Sequence, residues 1–288
     1  MYYGLIILSV VMFGGCFALQ DVYRARQGDH LRASLQYGII GSAAGLVVLW
    51  ITNGFALEFT LFTLLMALVR ALVSISFTFF SFRALGVANL SVYSLFSMLG
   101  GMVLPFLQGI LFYEETFTIG KLLCLLLIAA AILMTVKRGG GKGGFIYYVG
   151  VFLLNGMSGV IAKLFAEAPF EKTSAAGFSL LSAACTLVLS LAIFLIFYRK
   201  REGGMPPLSL SSIGVGAAGG AVNNIANFFL VIALSHVEAS VQYPMVTGGV
   251  IIVSTLLCYF GKKKPSKREL LSVALAFAAM MVLFLVPV

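Results

Sequence analysis

The sequence predicts an all-α integral membrane protein whose ten transmembrane helices form two inverted five-helix repeats. Of its 288 residues, 61% are hydrophobic and 10% are charged, whereas soluble domains carry about 25% charged residues. Apolar runs long enough to cross about 30 Å of hydrocarbon recur along the chain. Backbone groups in lipid must be hydrogen-bonded internally, and the runs lack the alternating polarity of membrane β-strands, so we expect them to be helices.

The ten predicted spans divide equally between the two halves of the chain. The first repeat is predicted over 1–138 and the second over 145–288, with a Gly-rich hinge at 139–144 between them. The spans lie near 2–20, 33–52, 59–83, 88–112, 118–136, 145–166, 174–198, 208–234, 239–260 and 269–287.

A weak internal similarity supports this division. Moving residues 79–136 forward by 149 positions places them on 228–285, with 12 identities in 58 positions, among them Gly100 on Gly249. Five spans in each half is an odd number, so the second half enters the membrane upside down. This arrangement is an inverted repeat, as in many transporters.

The basic residues orient the predicted helices. Even-numbered links between spans hold only Lys121 and Lys172, whereas odd-numbered links hold fifteen lysines and arginines. This bias places the odd-numbered links in the cytoplasm and both termini outside a cytoplasmic (plasma) membrane. Basic residues confined to short links do not indicate nucleic-acid binding, despite the net charge of +9. The fifteen are Arg24, Arg26, Arg32, Arg83, Lys137, Arg138, Lys142, Arg199, Lys200, Arg201, Lys262, Lys263, Lys264, Lys267 and Arg268.

A short motif at the end of the first half carries a family resemblance. Ala84-Leu85 through Ala88, then Pro105, then Glu115-Thr116-Phe117-Thr118 resembles the EamA-like branch of the drug/metabolite transporter superfamily. In the second half, Lys264-Pro265-Ser266 stands where that family commonly has a glutamate. The resemblance implies two five-helix units, a central substrate cavity lined by both halves, and secondary transport of small metabolites or drugs, often as export.

The candidate substrate site starts from Arg70, which lies about halfway along the third span. An ionisable group at that depth marks a functional site by default. Ser74 and Thr78 follow at helical spacing on the same face, and the 149-residue offset places them on Asn223 and Asn227 of the eighth span. Interhelical hydrogen bonding is the alternative role for this stripe. Further candidate substrate-binding residues are Tyr93, Asn155, Gln242 and Tyr243.

Several other features are expected to be structural. Lys163, near the end of the sixth span, is expected to extend its side chain to the membrane interface, with a cavity-facing position as the alternative. Gly38, Gly41 and Gly45 of the second span are expected to permit close helix packing. The four cysteines lie in apolar runs without metal-ligand spacing, and the Gly-rich hinge lacks the GK[ST] ending of a phosphate loop, so no cofactor and no metal are expected.

These observations favour a secondary transporter that works by alternating access. Arg70 favours a carboxylate-bearing substrate such as an amino acid or an organic acid, and the direction is expected to be export. The expected partners are this small molecule and the lipid bilayer, with the protein a monomer or a homodimer. A broad-specificity drug exporter and a lipid flippase-like protein are the alternatives, whereas an enzyme is not expected because the sequence shows no suitable cluster of Asp, His and Cys.

The charge bias makes a direct prediction about topology. A reporter fused after Val288 should be active only outside the cytoplasm, because ten spans return the chain to the side on which it started. Paired phosphatase and fluorescent-protein fusions would measure this, with a fusion in the 262–268 link as the cytoplasmic control. A cytoplasmic C-terminus would show that one span has been missed or added.

Overall fold

The chain folds entirely into helices and connecting links over the part that the structure describes. The computed structural model describes residues 2–87, 89–112, 118–135, 142–198, 208–234, 236–237, 239–260 and 264–285. Within these ranges there is no β-strand, and the predicted all-helical fold with ten helices is confirmed. The helices are α1 (Tyr2–Gln27), α2 (Leu31–Thr52), α3 (Leu61–Val87), α4 (Leu90–Phe112), α5 (Ile119–Thr135), α6 (Lys142–Glu167), α7 (Ala175–Tyr198), α8 (Leu210–Leu234), α9 (Ala239–Phe260) and α10 (Lys267–Leu285).

The described helices are suited to a membrane. Seven of them, α1 to α4 and α6 to α8, are long and apolar enough to cross a bilayer, and α5 and α9 contain the shorter apolar stretches Leu122–Met134 and Met245–Phe260. Large apolar side chains such as Ile196 and Phe112 lie on the outer surface, as expected where the surrounding solvent is lipid. Helix α6 begins at Lys142, so residues 142–144 of the predicted hinge are helical, and 139–141 lie outside the described residues.

Side-chain caps fix where several helices begin. His30 Nδ1 accepts the Ala33 N–H at the start of α2, and Asn89 Oδ1 accepts the Val92 N–H at the start of α4. Such caps satisfy backbone donors that have no partner within the helix. These helices therefore start at a polar residue in the link that precedes each of them. The same role is filled by Thr60 at α3, Ser174 at α7, Ser209 at α8 and Ser266 at α10.

The two halves of the chain are interleaved rather than side by side. Helix α1 packs on α8 and α9, α2 on α7 and α8, α3 on α6 and α7, α4 on α6 and α9, and α5 on α10. Leu95 and Leu99 of α4 lie with Ile251 of α9 and Met280 of α10 in one fully buried apolar cluster. Every helix of the first half therefore depends on the second half for its main packing partners.

Glycines bring some of these helices into backbone contact. A methyl group added at Gly220 of α8 would overlap the backbone of Gly41 of α2, and one added at Gly45 would overlap the Asn224 side chain. Between α4 and α6, a methyl group at Gly100 would overlap the backbone of Phe152. Small residues are the usual means by which membrane helices approach closely. The expected packing role of Gly41 and Gly45 is confirmed by these contacts.

The Gly41–Gly220 contact predicts the effect of a minimal substitution. Gly220→Ala should destabilise the protein by about 1–3 kcal/mol, because the new methyl group meets backbone that cannot rotate away. Gly214→Ala on the same helix is the matched control, since no atom lies within 4 Å of its added methyl group. Thermal unfolding in detergent would compare the two variants. Equal melting temperatures would contradict the close approach of α2 and α8.

Candidate functional site

A polar cavity lies among helices α1, α2, α3, α7 and α8. Its volume is about 390 Å³, within the range of about 300–1,000 Å³ typical of small-molecule sites. It extends along α2 from Ser34 to Leu49, which at 1.5 Å per residue is about 22 Å. The cavity therefore reaches through much of the thickness of a bilayer, and both halves of the chain supply its walls.

The structure brings five of the nine predicted site residues together in this cavity. Arg70, Ser74 and Thr78 line it from α3, and Asn223 and Asn227 line it from α8. The two polar stripes predicted from the repeat thus lie on walls of one space. The remaining four are Tyr93 and Asn155, whose side chains do not line this cavity, and Gln242 and Tyr243, whose side chains lie outside the described part of the structure.

The guanidinium group of Arg70 rests on aromatic rings. Its Cζ lies 5.0 Å from the centre of the Phe178 ring on α7. Phe178 stacks on Phe165 of α6 at 4.1 Å between ring centres, and Phe165 stacks on Phe62 at 6.1 Å. Arg70 makes no hydrogen bond and no ion pair with the described residues. The ring holds the cation by its quadrupole and leaves the five N–H donors of the guanidinium for a ligand.

Side chains beside Arg70 also offer unused hydrogen-bonding groups. Within the described residues, the Ser74 hydroxyl and the Asn223 side-chain amide have no hydrogen-bond partner, and Asn223 is exposed to the cavity. Thr78 Oγ1 donates to the Ser74 carbonyl oxygen at 2.9 Å, and Asn227 Nδ2 donates to the Asn223 carbonyl oxygen at 2.8 Å. The side chains of Thr78 and Asn227 each keep an acceptor oxygen, and both line the cavity.

A third polar stripe, on α7, was missed by the sequence analysis. Ser179, Ser182, Thr186 and Ser190 line the cavity and follow one another in steps of three, four and four. This is the same helical spacing that predicted the α3 stripe, so the signal was present in the sequence. The Ser190 hydroxyl is 1% exposed and has no hydrogen-bond partner among the described residues.

Tyr93 and Asn155 make contacts between helices outside the cavity lining. The Tyr93 hydroxyl donates to Gln20 Oε1 at 3.1 Å, and with its single proton so used it accepts from Ser81 Oγ at 3.1 Å. Gln20, another residue that the sequence analysis missed, lines the cavity from α1. Asn155 Nδ2 donates to the Ser97 carbonyl oxygen at 2.6 Å, which ties α6 to α4. Tyr93 therefore positions a cavity residue, and Asn155 joins two helices.

No acidic residue among the described ones lines the cavity, so Arg70 gives it a positive charge. Asp21 pairs with Arg24 at 2.8 Å, and Asp29 lies 3.7 Å from Arg83. Within the same described part, no group of three or more His, Cys, Asp and Glu residues is close enough to hold a metal ion. The chemistry that the cavity offers is binding of an anionic, polar molecule.

Hydrogen bonds join the helices at each end of the bundle around the cavity. At one end, Glu58 Oε2 accepts the Ser174 N–H at 2.5 Å and Glu58 Oε1 accepts the Ser174 hydroxyl at 2.8 Å. The Thr173 N–H also donates to Thr63 Oγ1 at 3.1 Å. We call these three bonds, which lie between the starts of α3 and α7, the Glu58 clamp.

At the other end of the bundle, two hydrogen bonds join α1 to α8. Arg26 Nη1 donates to Ser211 Oγ at 2.6 Å, and Gln27 Nε2 donates to Ser212 Oγ at 3.0 Å. We call this pair the Arg26 clamp.

The Glu58 clamp predicts a pH dependence. The Ser174 N–H, and then its hydroxyl, hold the pKa of Glu58 below the usual carboxyl value. Because the pKa of Glu58 is lowered in the folded state, its ionised carboxylate stabilises the folded protein at pH values above the ordinary carboxyl pKa of about 4.3. This stabilisation is lost as the pH falls through the lowered folded-state pKa. Glu58→Gln should therefore lower the melting temperature at pH 7, and the difference from the unsubstituted protein should shrink in acid.

The control for this variant is Glu171→Gln. Glu171 is an exposed carboxylate in the link that also holds Ser174, and it makes no hydrogen bond within the described residues. Its substitution should leave the melting temperature unchanged at both pH values. If Glu58→Gln and the control have the same melting temperature at pH 7, the Glu58 clamp does not stabilise the bundle.

Comparison with known proteins supports the fold and gives no function. No model of a known protein family matches the chain, and no curated protein matches it. One solved structure, described only as "Crystal structure of protein", is 22% identical and superposes with a TM-score of 0.59 over 98% of this chain and 96% of its own. At that identity the likeness is one of fold alone, and the chain thus shares an all-helical architecture with a solved protein over nearly its whole length.

Proposed function

We propose that the protein is a secondary transporter that moves a small carboxylate-bearing metabolite across the cytoplasmic membrane by alternating access, in the direction of export. The observation that carries the proposal is Arg70, a cation without a hydrogen-bonding partner among the described residues, in the polar cavity among α1, α2, α3, α7 and α8. A buried cation is costly unless an anion or water compensates it. A carboxylate accepts two parallel hydrogen bonds from a guanidinium, which matches the unused donors of Arg70.

The pattern of helix contacts supports an inverted repeat. Exchanging each helix for the one five positions along the chain turns the α1–α8 contact into α6–α3, the α2–α8 contact into α7–α3, and the α4–α6 contact into α9–α1. All of these contacts occur. The α5–α10, α2–α7 and α4–α9 contacts map onto themselves. With an odd number of spans in each half, this relation is a two-fold axis in the membrane plane.

The two clamps support alternating access. In the topology that the basic residues favour, the Glu58 clamp lies outside and the Arg26 clamp lies in the cytoplasm. Each clamp joins a helix of the first half to one of the second half, and each lies at an end of helices that line the cavity. Rocking of one half against the other would break one clamp while the opposite one holds, which exposes the cavity to one side at a time.

The cavity lining favours a polar metabolite over the substrates of a broad-specificity drug exporter. Such an exporter would present methionine and aromatic side chains to its cavity. Among the described residues no methionine lines this cavity, three aromatic residues do (Phe17, Tyr37 and Phe77), and about half of the lining residues carry a hydroxyl or an amide group. The resemblance to the drug/metabolite transporter superfamily noted in the sequence is compatible with either substrate class, so the support for a metabolite comes from the polar part of this lining.

The lipid flippase-like alternative has one observation in its favour. An apolar groove of about 490 Å³ lies between α1, α9 and α10 and is lined by residues such as Ile7, Met245 and Met280. None of its described lining residues is charged, and one of them, Tyr3, carries a hydroxyl. A lipid headgroup needs charged or hydrogen-bonding partners, so the polar cavity is the better site for a translocated molecule.

Arg70→Ala tests the proposed function. Truncating one partner of a buried charged pair costs about 2–5 kcal/mol, so substrate affinity should fall about 30-fold or more. Arg70→Lys should retain part of the activity, because an ammonium keeps the charge and loses the bidentate geometry. The measurement is counterflow in proteoliposomes with a panel of organic acids and amino acids.

The matched control is Arg32→Ala. Arg32 lies at the start of α2 with its Cζ 5.8 Å from the centre of the Phe194 ring, a contact similar to that of Arg70, but it does not line the cavity. The control should transport at the original rate. If Arg70→Ala also transports every active compound at the original rate, Arg70 is not part of the substrate site and the proposal loses its main support.

A further inference from the structure

We propose that the cavity selects organic monoanions that carry hydroxyl or carbonyl groups and lack an ammonium group. This proposal rests on the proposed function and narrows it. A 2-hydroxy acid would then be transported in preference to the 2-amino acid that has the same carbon skeleton.

The first argument is the balance of charge in the cavity. Arg70 is the one cationic side chain among the described lining residues, and no described lining residue is acidic. The two acids nearest in sequence to lining residues are engaged elsewhere: Asp21 pairs with Arg24, and Asp29 lies 3.7 Å from Arg83. A carboxylate that docks on Arg70 neutralises the site. A second carboxylate on the same molecule would find no second cation, so a monoanion fits better than a dianion.

The second argument concerns an ammonium group. In a 2-amino acid the ammonium is attached to the carbon next to the carboxylate, so a carboxylate bound to Arg70 would hold the ammonium close to the guanidinium. Like charges brought together in a site shielded from water repel, and a compensating protein carboxylate is missing from the described lining. Neutral oxygens such as Asn223 Oδ1 would be its best acceptors, and they compensate a full charge poorly.

The third argument is that neutral hydrogen-bonding groups lie beside the proposed anion site. The Ser74 hydroxyl, one helical turn from Arg70 on α3, and the Asn223 amide on α8 both line the cavity and have no hydrogen-bond partner among the described residues. Their donors and acceptors are therefore available to a ligand. A hydroxyl or carbonyl on the substrate would supply a partner to these groups.

The experiment uses three acids that differ only in the group on the second carbon. Propionate has hydrogen there, lactate has a hydroxyl, and alanine has an ammonium. Binding to the purified full-length protein is measured by thermal shift and transport by counterflow, with 2-hydroxyisovalerate and valine as a longer pair and malate as a dianion. Lactate should half-saturate at about tenfold lower concentration than alanine, or lower still. Propionate should fall between them, and malate should bind more weakly than lactate.

Two variants link the preference to the cavity. Arg70→Ala should abolish binding of all three acids. Ser74→Ala should weaken binding of lactate or 2-hydroxyisovalerate relative to propionate, because only the hydroxylated acids can use the Ser74 hydroxyl, which lies one helical turn from Arg70. Ser94→Ala is the control: Ser94 lies on α4, does not line the cavity and has its hydroxyl bonded to the Ser91 carbonyl oxygen at 3.0 Å, so this variant should leave the ratio unchanged.

The outcomes separate this inference from the proposed function. Arg70-dependent transport of alanine or valine at least as good as that of the hydroxy acids overturns the inference and leaves the proposed function standing. Transport of malate in preference to lactate overturns the monoanion part. Failure of every acid to bind or to be transported overturns the proposed site and the inference together.

Discussion

The cost of an unpaired polar group in hydrocarbon is the constraint on which the rest of this structure depends. Each such group costs several kcal/mol away from water, so a polar side chain in a membrane helix bonds to its own helix, ties two helices together or faces a cavity. Thr186 bonds to the Ser182 carbonyl oxygen and Asn155 ties α6 to α4. Within the described residues, Arg70 makes no hydrogen bond to its own helix and none to another helix. Its position is tolerable because the Phe178 ring supports it on one side and the cavity opens on the other.

The proposed repeat explains why only one half carries this charge. In the first half, Arg70 of α3 meets Phe178 of α7; in the second, the matching position of α8 is Gly219, where an added methyl group would meet the Tyr37 hydroxyl of α2. At both interfaces, α3 with α7 and α8 with α2, an aromatic ring lies opposite the matching helix position: Phe178 opposite Arg70, and Tyr37 opposite Gly219. Because α8 approaches α2 closely through Gly41 and Gly220, no long side chain fits at 219. The close contact of one pair of helices thus makes the cavity asymmetric and leaves Arg70 as the one charged residue among its described lining residues.

The helices were predictable from the sequence, and the contacts between them were less so. Ten apolar runs had to become ten helices, and the steps from Arg70 to Ser74 and Thr78 fixed one polar face, because both follow from local periodicity. Tyr93 was equally polar in the sequence, but whether its hydroxyl faces a cavity or binds Gln20 depends on how α4 packs on α1. The α7 stripe shows the reverse error, since its spacing was as regular as that of α3 and lacked only a charged residue to draw attention to it.

The position of the Glu58 clamp links the proposed site to the proposed motion. Phe178 lies four residues beyond Ser174, about 6 Å along α7, and Arg70 lies seven residues beyond Thr63, about 10 Å along α3. Opening the clamp would part the helices that hold Arg70 and Phe178, so the cation would lose its aromatic support. A bound carboxylate replaces that support and therefore interacts differently with the open and closed arrangements. Such a difference is what a ligand needs in order to shift a conformational equilibrium, and here it would arise from the same guanidinium that binds the substrate.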